Sequence, residues 1–429
     1  MASSSSSAAP APPWIILGRI THVQNWGDIN LRLTAPPRVS TLTVPTVHHP
    51  ERGYVDRHPY IVAVDDDAGF LIHVSMSPYI GFDLDRNPPG ILYVVLGDFV
   101  WPHERFPPIS SAMPVPDRDW PEQPGISNIK NVGLVSRRRP GCDDPEYVVA
   151  ELRFEDHDRA SLLSYHSSTA EWFDRRVLCG PSLSEVRRWT WSSHDVIPHN
   201  GKLWWVDLVE GILRCNPFAQ QPKLWYASLP EAVDGLTARY TRDPPENIES
   251  HRMVRASQGA VRFVDIARER INDPAGETLV VIWKLILGPG DLSFWKQQCA
   301  TSLAEIWASD SYRETKMPEE VPVLALLHPG NPDVVYFFLE QYLFSVNVSE
   351  SRVVEFVRER CDLIQVVAGP VRPPPISWRY VIAWVLPPSL ANSKELDNKD
   401  EKHDNQDEKD VRHLLKECVK IPRRPLTYL

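Results

Sequence analysis

The sequence has few of the features that mark secreted, membrane or redox proteins. Its six cysteines lie at least 36 residues apart and form no C-x-x-C pair, so zinc knuckles and thioredoxin-like redox pairs have no basis. No apolar run approaches the roughly 18 to 20 residues that a membrane-spanning helix needs. The N-terminus lacks the charged and apolar regions of a secretory signal. We therefore expect reduced cysteines, a cytoplasmic or nuclear location and no membrane partner.

Catalytic motifs are also missing. The chain contains no G-x-S-x-G, no Walker P-loop, no G-x-G-x-x-G and no H-E-x-x-H. These absences weigh against the common hydrolase, nucleotide-binding and metalloprotease classes, and we predict no cofactor, metal ligand or catalytic residue. The net charge of -10 weighs against a nucleic-acid partner, because nothing offsets the repulsion of the phosphates.

Proline, by contrast, is abundant, with 41 residues spread along the chain. Because proline interrupts helices and central strands, we expect short elements and no long helices. A proline-rich stretch at 103–126 is predicted to be an extended surface loop. Short apolar segments rich in β-branched and aromatic residues predict strands, including Trp14–Ile20, Val39–Val44, Tyr60–Val64, Phe70–Val74, Ile91–Leu96, Tyr147–Leu152, Leu162–Tyr165 and Leu203–Leu208.

Weak internal repetition suggests how these strands are arranged. Gly201–Leu208 (GKLWWVDL) aligns without gaps on Gly259–Ile266 (GAVRFVDI). Repeated sheet units that cannot bury their faces alone predict an all-β fold, a β-propeller-like array of antiparallel four-stranded sheets. A β-sandwich array is the alternative. Strand-like segments near both ends, Trp14–Leu17 and Trp378–Leu386, are predicted to pair within one sheet and so cover open edges.

Composition divides the chain into four parts. Residues 1–13 are predicted to be a disordered leader and residues 14–390 the propeller-like domain. Residues 391–410 are predicted to be a disordered acidic linker, because the stretch 394–410 holds eight acidic residues, four lysines and a single leucine. Residues 411–429 are predicted to form a short helix and a tail, since apolar residues there recur at helical spacing.

Several segments carry a resemblance to a known family: Ile16–Ile20, Ala35–Val39, Trp204–Phe218, Glu305–Trp307, Val321–Pro329 and Asn331–Leu339. Together they resemble the plant domain of unknown function 1618, a family expanded in grasses. The resemblance spans most of 14–390 and is densest over about 200–345. It implies similarity to the propeller-like regions associated with F-box proteins, which act as recognition platforms. We expect no F-box here, because only a Ser/Ala/Pro leader precedes the first strand. The family supplies no agreed catalytic residues.

Trp204, Trp205 and Asp207 form the candidate binding cluster. Neighbouring side chains on a strand point to opposite faces, so one indole is predicted to be buried and the other exposed. An exposed tryptophan beside a carboxylate suits stacking on a sugar or on a partner's side chain. The alternative is that both indoles wedge between neighbouring sheets and that the aspartate ends the strand in a turn. The repeated pattern with Asp265 favours this alternative.

Two charged clusters complete the candidates. Asp65, Asp66 and Asp67 precede Gly69, and their spacing predicts a solvated hairpin turn rather than a calcium loop. Short basic runs at 137–139 and 423–424 suit contact with phosphate or an acidic partner, although such runs usually face water.

These observations favour a non-enzymatic protein-interaction scaffold whose partner is another protein. The alternative is a carbohydrate-binding or glycoside-active propeller. That function would require carboxylates converging within about 5–10 Å in a central pocket.

Overall fold

The computed structural model describes residues 13–24, 30–45, 59–75, 90–95, 112–116, 125–141, 145–156, 159–179, 191, 193–230, 248–268, 277–288, 292–340, 342–358 and 380–387. The chain divides into two compact units, Ala11–Ala391 and a second one made of Met1–Pro10 with Asn392–Leu429. Every described residue belongs to the first unit. The predicted acidic linker and terminal helix, and the leader apart from Pro13, lie outside the described residues.

The described chain is almost all β-sheet, and its strands fall into six groups that we number along the chain. Sheet 1 contains strands from both ends: β1 (Trp14–Gly18), β2 (His22–Gln24), β3 (Asn30–Arg32), β4 (Val39–Pro45) and β25 (Val381–Val385). Sheet 2 contains β5 (Tyr60–Asp65), β6 (Gly69–Ser75), β7 (Gly90–Val95) and β8 (Ala112–Pro114). Sheet 3 contains β9 (Val132–Arg137), β10 (Glu146–Asp156), β11 (Arg159–His166) and β12 (Glu171–Cys179).

The remaining three groups follow in chain order. Sheet 4 contains β13 (Asp195–His199), β14 (Lys202–Asp207), β15 (Gly211–Cys215) and β16 (Lys223–Ser228). Sheet 5 contains β17 (Arg252–Ser257), β18 (Ala260–Arg268), β19 (Thr278–Leu287) and β20 (Ser293–Ser302). Sheet 6 contains β21 (Val323–Leu327), β22 (Val334–Leu339), β23 (Tyr342–Asn347) and β24 (Arg352–Phe356).

Consecutive strands within sheets 2 to 6 pair antiparallel, which confirms the predicted all-β array of mostly four-stranded antiparallel sheets. Sheets 3 and 4 are two halves of one eight-stranded sheet, because β12 also pairs in parallel with β16. The end strands of that sheet, β9 and β13, contact each other, so it is nearly closed. The prediction of a loop over 103–126 was wrong in part, since Ala112–Pro114 forms β8 at the edge of sheet 2.

Helices are short where the chain is described. Helix α1 (Leu303–Ala308) begins with a capping box, in which Ser302 and Glu305 each accept a hydrogen bond from the other's backbone N–H. Helix α2 (Asp310–Arg313) follows, and 3-10 turns lie at Ile129–Asn131 and Ile248–Ser250. None of the helices in these residues has the length and apolar character to cross a membrane.

The two ends of the first unit meet in sheet 1. Strand β1 pairs antiparallel with β25 over five residue pairs, from Trp14 with Val385 to Gly18 with Val381. Trp384 is fully buried, and its Nε1 donates a hydrogen bond to the carbonyl oxygen of Asp65 at 3.3 Å. The predicted pairing of the chain's terminal strands is therefore confirmed.

One edge strand of each of the six sheets contacts an edge strand of the next sheet, and these contacts form a closed series. In this series β25 contacts β5, β5 contacts β9, and β9 contacts β13. Then β13 contacts β17, β17 contacts β21, and β21 returns to β25. The order of the sheets in space is therefore their order along the chain.

One apolar cluster lies between each neighbouring pair of sheets. Consecutive side chains on one strand supply different clusters: Tyr336 packs toward sheet 1, whereas Phe337 packs toward sheet 5. Strands covered on both faces are apolar at successive positions, as in VVYFFL of β22. This double coverage explains why the apolar segments in the sequence are continuous rather than alternating.

Candidate functional site

The two neighbouring tryptophans of β14 lie on opposite faces of sheet 4, as the alternation of a strand requires. Trp205 is 0% exposed between sheets 3 and 4, and its Nε1 donates to the Asn131 carbonyl oxygen at 2.7 Å. Trp204 is 2% exposed between sheets 4 and 5, and its Nε1 donates to the His199 carbonyl oxygen at 3.3 Å. Both indoles are buried because both faces of the sheet are covered.

Asp207 ends β14 in a turn. Its Oδ1 accepts hydrogen bonds from the backbone N–H groups of Val209 at 2.8 Å and Glu210 at 3.2 Å. Burial raises the pKa of Asp207, and the neighbouring His194 opposes this effect. The structure thus separates Trp204, Trp205 and Asp207 instead of joining them on one exposed surface, and ligand binding by these residues stays a prediction.

Trp204 also borders a shallow surface cleft between sheets 4 and 5, with room for about one water molecule, which we call the Trp225 cleft. Its walls include Trp204, Arg214 and Trp225 from sheet 4 and Leu285, Leu287 and Ser293 from sheet 5. No carboxylate is among the described residues that line it. The cleft is therefore aromatic and apolar, with a positive charge on one wall.

The register of sheet 4 builds the cationic wall. Trp204 lies opposite Arg214, and Arg214 lies opposite Trp225, so the three form a row across β14, β15 and β16. The Arg214 guanidinium carbon lies 5.4 Å from the Trp204 ring centroid and 5.6 Å from that of Trp225. The Lys223 ammonium lies 4.0 Å from the Trp225 centroid. Cation–π attraction of this kind fixes the charges beside the indoles.

An exposed apolar hairpin adjoins the cleft. The β19–β20 hairpin exposes Leu287 by 47%, Leu292 by 71% and Phe294 by 58%. These are three of the seven large hydrophobic side chains that stand exposed in the described part of the chain. Exposed apolar side chains are therefore concentrated on this hairpin.

Sequence reasoning missed Arg214, Trp225 and the β20 hairpin. The signal for Trp225 was the apolar run LWYA within Lys223–Ser228, which the strand predictions did not include. Trp204 was the one residue of the cleft among the sequence candidates.

Six carboxylate side chains are buried in the described chain, and all of them have partners within the protein. Asp65 accepts from the Ser136 hydroxyl and from three backbone N–H groups, so it anchors the hairpin at 65–69 to sheet 3, whereas Asp66 is exposed as predicted for a solvated turn. The other five are bound as follows: Glu146 by Arg137 and Arg139, Glu151 by Ser127 and Arg153, Asp195 by Arg255, Asp207 by its turn, and Asp265 by Arg252.

Among the residues that the structure describes, no three His, Cys, Asp or Glu side chains are grouped so that they could hold a metal ion.

The basic run at 137–139 is engaged in ion pairs. Arg137 and Arg139 both bind Glu146, at 2.8 and 2.7 Å, and Arg138 binds Asp67 at 2.6 Å. Burial alone would raise the pKa of Glu146, but hydrogen bonds from Arg139, Ser168 and Arg137 outweigh it and hold the pKa at about 2. The second run, at 423–424, lies outside the described residues.

His166 lies beside this cluster at the end of β11. Its ring contacts Phe173, with the centroids 5.0 Å apart, and its Nε2 lies 3.2 Å from the Ser164 hydroxyl. Burial and the charge of Arg175 lower the pKa of His166 to about 4. The imidazole is therefore neutral at physiological pH and helps to stabilise sheet 3.

Sheets and cleft together define an all-β protein with an aromatic and cationic cleft between two of its sheets. Residues 205–336 match the family described as "Protein of unknown function (DUF1618)". This match supports the resemblance found in the sequence and covers most of sheet 4, sheet 5 and the start of sheet 6. No curated protein matches the chain.

Proposed function

We propose that the protein is a non-enzymatic interaction platform that binds a segment of another protein in the Trp225 cleft. The observation that carries this proposal is the coincidence of three features at one place: an indole beside two cations, an open apolar wall and an exposed apolar hairpin. Aromatic and arginine side chains are enriched where binding energy is concentrated in protein interfaces. A location in the cytoplasm or nucleus belongs to the same proposal.

The proposed scaffold is a six-bladed β-propeller, with each sheet as one blade. The closed series of contacts among the edge strands β25, β5, β9, β13, β17 and β21 supports it, as does the pairing of β1 with β25 in sheet 1. Plant origin and similarity to F-box-associated regions complete the proposal, resting on the sequence resemblance.

The alternative is a carbohydrate-binding or glycoside-active propeller. The carboxylates weigh against the catalytic form, because each of the six buried ones already has protein partners. The carbohydrate-binding form is compatible with the cleft, because a sugar ring can stack on the face of a tryptophan such as Trp225.

The test is selection from a displayed library of random linear peptides, using the full chain as bait. We expect enriched peptides that bind the wild type and lose at least tenfold in affinity for Trp225→Ala. The matched control is Val354→Ala, which trims an exposed apolar residue of β24 in sheet 6. Failure to enrich any peptide, or equal binding to Trp225→Ala, would refute the proposal. An oligosaccharide array probed with the same variants tests the alternative.

A further inference from the structure

Strand β20 is the outermost strand of sheet 5, and within the described residues it pairs with β19 alone. It is ten residues long, so its outer edge is long enough to accept another strand. Trp295 holds the strand in place, because its Nε1 donates to the Ser228 carbonyl oxygen at 2.7 Å. The edge is therefore formed before any partner arrives.

The hairpin register decides which backbone groups of β20 point outward. Gly288 donates its N–H to the Leu292 carbonyl oxygen at 2.8 Å, which marks a bonded pair next to the strand. Antiparallel pairs alternate between bonded and non-bonded types, so every second residue turns its N–H and C=O away from β19. These residues are Ser293, Trp295 and Gln297, beyond which the register shifts.

The three outward-facing residues are spaced symmetrically about Trp295. When a second β20 pairs antiparallel with Trp295 opposite its counterpart, each Ser293 lies opposite the Gln297 of the other copy. All three outward residues then exchange hydrogen bonds with the second strand. Centring the pair on Phe294 or Lys296 leaves only two such bonded pairs within Ser293–Gln297. The backbone groups of this edge are therefore self-complementary in one register.

The exposed side chains of β20 are complementary in the same register. Phe294 is 58% exposed, and Lys296 is exposed and is the one charged residue of the strand. With Trp295 at the centre, each Phe294 lies opposite the Lys296 of the other copy in a non-bonded pair, where opposed side chains are closest. A lysine beside an aromatic face gives a cation–π contact, and its aliphatic stem covers the ring.

Lys296 also limits the registers that the edge accepts. Lysine on an edge strand commonly prevents pairing with another chain. A register centred on Lys296 would set the two ammonium groups against each other, and like charges directly opposite are destabilising. In the register centred on Trp295 each lysine meets a ring instead.

We propose that two copies of this chain associate through the outer edges of their β20 strands, antiparallel and centred on Trp295. The four strands of sheet 5 in each copy then form one continuous sheet. A two-fold interface brings the same surface of both copies together, so it requires the self-complementarity that Ser293–Gln297 has. The inference goes beyond the proposed function, because neither Trp225 nor its cleft takes part in it.

The first test is sedimentation equilibrium of the full chain and two variants that exchange side chains. Phe294→Lys sets lysine opposite lysine twice, and we expect the dimer dissociation constant to rise at least tenfold. Adding Lys296→Phe to that variant restores both aromatic–lysine pairs in reversed order. We expect its dissociation constant to lie within about threefold of the wild type. Such a rescue separates the interface from an effect on folding, because a destabilised fold would not recover.

The second test blocks the backbone of the edge. Gln297→Pro removes the outward N–H without removing a bond to β19, so the sheet is kept. We expect at least a tenfold rise of the dimer dissociation constant for Gln297→Pro and less than a twofold change for the control Gln297→Ala.

Hydrogen exchange of the wild-type chain needs no substitution. The amides of Ser293, Trp295 and Gln297 are expected to exchange more slowly as the protein concentration is raised. Those of Phe294 and Lys296 already bond to β19 and should change little. Equal concentration dependence at all five amides, or none, would contradict pairing through this edge.

The remaining outcomes are decisive as well. A wild-type chain that is monomeric at about 100 μM, or a dimer that tolerates both Phe294→Lys and Gln297→Pro, would overturn the inference. Failure of the double variant to recover would refute the register centred on Trp295. A monomeric chain whose edge amides are protected only by a selected peptide would replace the second copy by another protein. Trp225→Ala is expected to keep the dimer, so failure of the interaction platform and failure of the dimer are distinguishable.

Discussion

The two interfaces that flank sheet 4 share strand β14 but differ at their outer rims. Between sheets 3 and 4, Trp205 is fully buried and the rim is closed by the pairing of β12 with β16. Between sheets 4 and 5, Trp204 is equally buried, but the rim opens into the Trp225 cleft. Consecutive residues of β14 supply both cores. The pairing of the outer strands decides whether the rim is closed or open.

Close approach of backbones also distinguishes the closed interface. A Cβ at Gly133 of β9 would lie 2.5 Å from Val196 Cγ1 and 2.7 Å from Leu203 Cδ2. Glycine therefore lets sheet 3 approach sheet 4. On the hairpin beside the open cleft, a Cβ at Gly288 would meet only ordinary contacts, at 3.5 Å from the Leu292 carbonyl oxygen.

The largest effect is expected for Trp205→Ala, which removes a fully buried indole and its hydrogen bond. We expect a loss of about 3–5 kcal/mol in the free energy of unfolding, from transfer and cavity costs. The paired variant Trp225→Ala should cost below about 1 kcal/mol, since that indole borders open solvent. Urea denaturation of both variants measures the difference. Similar costs for the two would contradict the contrast between a closed and an open interface.

Gly133→Ala is expected to cost about 1–3 kcal/mol, because the added methyl forces two packed side chains to move. Its matched control is Gly288→Ala, which should change the free energy of unfolding by less than about 0.5 kcal/mol. Thermal melting of the two variants suffices as a measurement. An unchanged midpoint for Gly133→Ala would show that sheets 3 and 4 are packed more loosely than the structure has them.

Acid should weaken sheet 3 through His166. Its folded pKa of about 4 lies below the ordinary 6.5, so the unfolded chain binds the proton more readily between these values. The stability contributed by the neutral ring is present above pH 6.5 and is lost as the pH falls toward 4. We expect a loss of about 1–2 kcal/mol over this range, and a shallower pH dependence for His166→Gln. If the free energy of unfolding depended on pH in the same way for the wild type and His166→Gln, this role of His166 would be refuted.

The smallest effect is expected at the closed rim itself. Leu178 donates its N–H to the Pro222 carbonyl oxygen at 2.9 Å, so Leu178→Pro removes one bond between sheets 3 and 4. We expect a cost of about 0.5–1.5 kcal/mol, with faster hydrogen exchange along β16. Leu178→Ala keeps the N–H and serves as the control. Unchanged exchange would mean that the rim is held by other contacts.

Burial on both faces made much of the fold predictable from sequence. Continuous apolar segments such as Leu203–Leu208 and Val334–Leu339 were recognised, and so was the pairing of the terminal strands. The outer strands β12, β16 and β20 were missed. Most of their side chains are partly or fully exposed, so their sequences lack the long apolar segments that mark the buried strands.

The candidate site was predicted less well, for a different reason. Alternation correctly placed Trp204 and Trp205 on opposite faces, and the structure shows the interpretation that the sequence favoured, with both indoles between neighbouring sheets and Asp207 in a turn. The row of Trp204, Arg214 and Trp225 depends on the register of three strands. Register is set by turns and long-range packing, which composition does not encode.

The pairing of β1 with β25 has a consequence for how the protein is made. Gly18 leaves the ribosome long before Val381, its partner in sheet 1. At ~5–20 residues per second the interval is roughly 20 to 70 s. During that time the nascent chain contains the apolar strand β1, WIILG, and the edge that pairs with β25 has no partner. Until β25 has been synthesised, that edge is therefore open to pairing with another chain.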